Sequence, residues 1–242
     1  MRLRLDLHVH SNFSPDAIGD PRKLIAAARR RGLDGFALTD HNTSGGVDWL
    51  IERGLLREDG LPVDNVLVIP GVEVSTREGH LLCLGTKLRQ MKGASAAEVC
   101  GAIHDQGGLA VAAHPFDRFR AGIPAHSLDR LPIDGIEAFN AATLVRNFNE
   151  QALAYARYRN LPITCGSDAH TVGAVGTAYA VIDTDDFCLS GVLRQLSLGS
   201  ELYQRYLTVG QVAVKTLCNV MRLPRLSTLW SRWSSKSLET IS

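Results

Sequence analysis

Short apolar runs alternate along this chain with longer segments whose apolar positions recur at helical spacing. Leu3–Leu7, Asp34–Thr39, Val66–Ile69 with Val72–Ser75, His80–Gly85, Leu109–Ala113, Gly135–Phe139, Leu161–Cys165 and Tyr179–Ile182 read as strands. Pro21–Arg31, Gly45–Arg53, Ser95–Asp105, Leu144–Asn160 and Phe187–Leu196 read as helices. Asp20 precedes the first of them as an N-cap, and Gly32, Gly54 and Gly107-Gly108 follow helix ends. Leu55–Asn65 reads as a surface loop, and Phe116–Leu131 as an irregular loop with a short helix. Strands alternating with helices predict an α/β fold with a mostly parallel sheet.

One kind of polar residue interrupts the pattern where strands end. Histidines and carboxylates collect in Asp6-Leu7-His8-Val9-His10, Thr39-Asp40-His41, Val72-Glu73, Gly79-His80, Ala113-His114 and Ser167-Asp168-Ala169-His170. Such groups on so many strands favour a closed or nearly closed barrel over an open sheet, because barrel chemistry sits at the carboxyl rim. His8 and His10, two apart in an extended strand, share a face, as do Asp168 and His170. Glu73 is long enough to bridge two ions, with His80 and His114 as nitrogen ligands of the second, and Asp16 follows on the loop after Pro15. Imidazole and carboxylate are ligands of Zn, Mn and Fe. Two or three such divalent ions can hold a hydroxide and clamp a phosphate. No Ser or Cys nucleophile with an oriented base is visible, so metal-bound hydroxide is the simpler attacking group. A lone HxH is a weak signal; the ordered set is a specific one.

Composition narrows the picture further. The 242 residues suit one barrel domain, which commonly takes about 200–250 residues. A formal net charge of +1 gives no whole-molecule pull toward nucleic acid or anionic membrane. The five cysteines are odd in number and widely spaced, without a CxxC pair, so reduced thiols in a cytoplasmic protein are expected. Cys165 is expected to pack inside its strand rather than bind metal. The first residues lack a secretory h-region, and no apolar stretch approaches the roughly 18–20 residues of a spanning helix, so stable membrane insertion is not expected. From Tyr203 onward the basic residues are Arg205, Lys215, Arg222, Arg225, Arg232 and Lys236 against Glu239 alone, with Trp230 and Trp233 among them. Residues 1–208 are therefore expected to form the catalytic barrel. Residues 209–242 should form a helix, Val209–Met221, and a basic, mobile tail. A solvated tail is preferred there over a contact with RNA, an anionic surface or a partner.

The motifs DLHVHS at Asp6–Ser11, TDH at Thr39–His41, PGVEVS at Pro70–Ser75, AHP at Ala113–Pro115 and GSDAH at Gly166–His170 resemble, in order, the polymerase and histidinol phosphatase (PHP) domain family. The resemblance spans roughly residues 3–185. It implies a distorted (β/α)7 TIM-like barrel with a two- or three-metal centre at the C-terminal rim of its strands, cleaving phosphoesters. Carried over by position, His8, His10, Glu73 and Asp168 hold a first ion. Glu73 bridges to a second held by His80 and His114, while Asp16, His41 and His170 hold a third. Asp16 stands where some members have histidine, which weakens the third site or moves it toward Mn or Fe. His41, Glu73 and His170 are the expected catalytic residues. Asp40 is expected to orient a neighbouring histidine, with Asp6 and Ser167 as strand-end supports.

Arg118 and Arg120, just beyond His114, are placed to fork onto substrate phosphate oxygens, with exposed loop charges as the alternative; Arg146 and Lys87 are weaker candidates. The expected activity is hydrolysis of a small phosphate monoester or nucleotide, with a nucleoside bisphosphate or short RNA within the same class. Alternatives are a histidinol-phosphate phosphatase, a metal-dependent carbamate or ester hydrolase, and a non-catalytic PHP scaffold. Oligomeric state is not read from the sequence.

Overall fold

The computed structural model describes residues 1–221, with side chains as far as Leu217. In β1 (Arg2–Val9), Arg2 and Arg4 face solvent between buried Leu3 and Leu5, and from Leu5 onward every residue is buried. The strand thus begins at the surface and ends inside the barrel. It pairs in parallel with β2 (Gly35–Leu38), and β2 in parallel with β3 (Leu67–Ser75). β4 (His80–Leu84) is antiparallel to both β3 and β5 (Leu109–Ala112). Parallel pairing then resumes through β6 (Gly135–Asn140) to β7 (Ile163–Gly166).

Six of these seven strands therefore run one way, as the alternation predicted, and β4 is reversed. Its cause is local: only residues 76–79 join it to β3, far fewer than the dozen or so a parallel crossover needs. The segment after β7 returns to β1. Val9 bridges Ala169 in parallel, and the His10 amide donates to the Ala169 carbonyl at 2.9 Å. Gly166 permits this approach, since a Cβ there would lie 2.4 Å from the Cβ of His8. The result is a distorted, nearly closed barrel. On the other side of β1 the sheet extends antiparallel through β8 (Tyr179–Asp183) and β9 (Glu201–Tyr203). The three-residue β9 is half-exposed and has too little pattern to be read from sequence.

The helices begin where the capping residues place them. The Asp20 carboxylate accepts from the Arg22 and Lys23 amides at the start of α1 (Pro21–Arg30), and Ser95 with Glu98 forms a capping box on α3 (Ala96–His104). The others are α2 (Gly45–Glu52), α4 (Ala125–Leu128), α5 (Asn147–Arg159), α6 (Leu189–Leu196) and α7 (Val209–Met221). One core gathers Leu5, Leu7, Leu24, Phe36, Leu38 and Ile69; a second gathers Leu81, Cys83, Ile103, Ala110 and Ile136. Each Leu, Ile or Phe among them, fully buried, contributes about 1.5–3 kcal/mol. No helix among the described residues is long and apolar enough to cross a membrane. The expected tail, with Trp230 and Trp233, lies outside the described residues.

Candidate metal centre

All nine side chains singled out as ligands converge at one rim. Most of them follow the carboxyl ends of strands, but His80 opens its strand. Reversal of β4 puts that first residue beside Ser75, the last of β3. Glu73, on β3 and 1 % exposed, lies at the centre. Its two oxygens divide the imidazoles. Oε1 lies 2.8 Å from His80 Nδ1 and 3.1 Å from His114 Nε2. Oε2 lies 3.1 Å from His8 Nε2 and 3.2 Å from both His10 Nε2 and His41 Nδ1. Asp168 Oδ1 faces His10 Nε2 at 3.5 Å, His8 Nε2 at 3.9 Å and His170 Nδ1 at 3.2 Å. On the outer side, Asp16 Oδ2 lies 3.1 Å from His170 Nε2 and 3.4 Å from His41 Nε2.

Buried partners orient the rings. His8 Nδ1 donates to Glu137 Oε1 at 2.9 Å, because an ionised carboxylate only accepts, and this turns Nε2 toward Glu73. The Ser14 hydroxyl donates to Asp40 at 3.0 Å and accepts from His10 Nδ1 at 3.2 Å, turning His10 Nε2 inward. Asp40 thus acts on His10 through Ser14, consistent with an orienting role. Asp6 accepts from the amide and hydroxyl of Ser167 and from the Gly176 amide, tying β1 to the segment after β7. Burial pushes its pKa up to about 6 against those hydrogen bonds. His114 and Asp168 take positive φ values of 28° and 50°, backbone strain of the sort that collects at functional sites.

The electrostatics call for positive charge. Burial disfavours a charged His8, yet Glu137, Glu73 and Asp168 outweigh it and raise its pKa well above the usual imidazole range. Burial likewise opposes ionisation of Glu73 and Asp168. Glu73 is nevertheless held well below the carboxylate range by His41, His8 and His80, and Asp168 by Lys215, His8, His10 and His170. Burial, reinforced by Arg120, pushes His114 down to about 4, so it stays neutral. His10 Nε2, His114 Nδ1 and Asp16 Oδ1 are buried without a hydrogen-bond partner among the described residues. Buried nitrogens and carboxylates with open coordination sites fit divalent cations. Three triads each bring their donor atoms within 4.8 Å of one another: His8–His10–Asp168, His41–Glu73–His80 and His10–His41–His170.

The two arginines separate. Arg120 is committed to the centre: Nε donates to Asp117 at 2.9 Å, Nη2 to Thr143 at 2.6 Å and Asn140 at 3.1 Å, and Nη1 to Asp168. Arg118 is exposed and lies over the Phe119 ring, 5.3 Å from its centroid. Arg146 rests on Tyr206, and Lys87 pairs with Asp48. His104 pairs with Asp134, and His126 is exposed on α4. Cys83, Cys100 and Cys165 are buried free thiols, all pushed upward by burial.

Three participants escaped sequence reasoning. Glu137 holds His8 and also accepts from the His114 amide at 2.7 Å, while Asn140 donates to Glu137 and Asp168. A signal for Glu137 existed: it is a lone carboxylate inside a strand buried along its whole length, and buried charge needs a partner. Lys215, on α7, places Nζ 3.1 Å from Asp168 Oδ2.

Residues 6–161 match the PHP domain family, and residues 146–200 the PHP-associated family. The chain belongs to the PHP family. An uncharacterized protein of Methanocaldococcus jannaschii is 35 % identical to this PHP protein over 150 residues, covering 57 % of this chain and 82 % of its own. Among solved structures, PsfC from Pseudomonas syringae superposes with a TM-score of 0.66 at 23 % identity, over 91 % of this chain and 98 % of its own. A two-domain protein from Bacteroides vulgatus containing a predicted PHP-like metal-dependent phosphoesterase reaches 0.68 at 19 %, over 85 % and 65 %. Endonuclease Q, bound to a 27-mer duplex with an abasic lesion, reaches 0.66 at 17 %, over 81 % and 56 %. At these identities the likeness establishes the barrel fold.

Proposed function

We propose that this PHP protein is a metal-dependent phosphoesterase acting on a small phosphate monoester or nucleotide. The observation that carries the reading is the division of five imidazoles between the two oxygens of buried Glu73. A bridging carboxylate ringed in this way suits two ions. His8, His10, Glu73 and Asp168 would hold one, and Glu73, His80 and His114 the other, with Asp16, His41 and His170 available to a third. When bound, divalent ions supply Lewis-acid charge for phosphate oxygens and lower the pKa of an attacking water.

The chain's own residues supply the rest. Glu137 and the Asp40–Ser14 pair fix the tautomers of His8 and His10, and Arg120 holds Asp168 in register. His41, 16 % exposed beside Asp16, is on the accessible side, placed to move a proton at the leaving-group oxygen. A long nucleic acid is not favoured, because the chain carries a formal charge of only +1.

The test is phosphate release from mono- and bisphosphates and nucleotide release from short RNAs, with protein reconstituted in turn with Mn, Fe(II) and Zn, beside His10→Ala. Metal-dependent turnover that His10→Ala abolishes is expected. Silence from metal-loaded protein across the panel, with turnover of an aryl carbamate or ester, would move the reaction to a carbon centre.

A further inference from the structure

Helix α7 lies beyond both family-matched stretches, which end at residues 161 and 200. It is nonetheless fastened to the metal rim. The Leu207 amide donates to the Ala141 carbonyl just before the helix, and Thr208 with Gln211 caps its first turn. Gln211 Nε2 donates to the Gly173 carbonyl at 2.8 Å, in the segment after His170, and Val212 packs on the barrel core. Lys215 follows Gln211 by four residues and Val212 by three, so the three share one helix face. Ala213, Val214, Thr216 and Leu217, on the remaining surface, are exposed. The docked stripe of α7 therefore ends in a lysine directed at Asp168.

Lys215 is 15 % exposed, and its Nζ lies 3.1 Å from Asp168 Oδ2, the oxygen that Arg120 Nη1 also binds. Asp168 Oδ1 is turned the other way, toward His8, His10 and His170. Two cations thus meet at the outer oxygen of one candidate metal ligand. An ammonium has three donors, and among the described residues Asp168 is the one ion-pair partner of Lys215. Among the described residues, two N–H groups of this largely buried cation remain without a partner beside the rim. Arg120, by contrast, is held by four side chains.

We propose that Lys215 is a substrate-binding residue of this centre. Its ammonium grips the terminal phosphate of the monoester presented to the metals, while Arg120 fixes the Asp168 oxygen from which Lys215 reaches. The proposal rests on the phosphoesterase reading for its substrate class and adds the group and the helix that recognise it.

The experiment compares the full-length protein with Lys215→Gln and Lys215→Arg, all loaded with the same metal. Three quantities are read: metal content, the affinity for inorganic phosphate by calorimetry, and KM and kcat on a monoester. Lys215→Gln should keep its metal, weaken phosphate binding roughly 10–100-fold, the worth of a charge-assisted hydrogen bond, and raise KM by a similar factor. Lys215→Arg should restore most of the loss. Unchanged phosphate affinity in Lys215→Gln would overturn the proposal, as would a wild type that does not bind phosphate. A rise in kcat/KM would show α7 to be an obstructing plug, and loss of metal at unchanged phosphate affinity would show Lys215 to be a support for Asp168; either overturns it. Phosphate binding that depends on Lys215 in a protein that hydrolyses no phosphoester would leave this assignment standing and refute the phosphoesterase reading.

Discussion

Glu73 and Asp16 belong to one cluster yet are held in contrasting ways. Glu73 lies within a strand, between β2 and β4, at 1 % exposure, and the imidazoles around it come from β1, β4 and the residues just after β2 and β5. Asp16 sits in the loop between β1 and α1 with a side chain 26 % exposed. That loop is fixed by single bonds, such as the Ile18 amide to the His170 carbonyl and the Asn12 amide to the Gly19 carbonyl. Strand ladders fix a carboxylate to within a fraction of an ångström, and burial strengthens each interaction it makes. A loop carboxylate in contact with water is fixed more weakly. The floor around Glu73 is therefore expected to set metal affinity, and the Asp16 side to adjust what the bound metal does.

The contrast can be broken by mutation. Glu73→Ala removes the carboxylate shared by five imidazoles and should lower metal content and turnover by more than about 100-fold, beyond the range for supporting residues. It should also abolish the rise in Tm that added metal gives the wild type, a rise worth about 2.7 kcal/mol at a hundredfold excess over Kd. A Glu73→Ala protein that retained its metal would end the floor assignment. Next comes Glu137→Gln, which touches no proposed ion but releases His8; a loss of about 10–100-fold in metal affinity or activity is expected from titration against a chelator. Asp16→Ala should cost less than about tenfold in metal affinity while changing the metal preference, since only the outer group is lost. If Asp16→Ala empties the centre as Glu73→Ala does, the two sides are not distinct. Arg118→Ala, over the exposed Phe119 ring, should leave metal content and KM within about twofold, the scale of surface substitutions.

Among the described residues, eight of the nine strands and six of the seven helices can be read from the sequence near their observed bounds, with β3 read as two runs split at Pro70-Gly71 and α4 as a short helix in its loop. Their patterns are strong because most strands are buried along nearly their whole length. The cluster of candidate ligands was legible for a related reason: a histidine or carboxylate at the end of an apolar run has no packing role to explain it. Glu137 is hidden by standing in mid-run, and nothing local marks that the donors of Arg120 go to Asp117, Asn140, Thr143 and Asp168. Lys215 could not be distinguished from the other basic residues of its segment, because nothing local marks which face of α7 docks.

The sequence by itself determined the alternation of elements, the residue types of the candidate metal centre and the order in which they arise along the chain. These depend on local hydrophobic period and on the chemistry of single side chains. The four-residue link from β3 sets locally that β4 runs backwards, whereas tertiary structure alone decided that His80 meets His41 and His114 at the common rim. It also decided that Gly166 lets β7 close against His8, and that Lys215 meets Arg120 at one oxygen of Asp168. Each of these is a contact between residues far apart in the chain. Such contacts are fixed by how the whole barrel closes, and no local pattern encodes that.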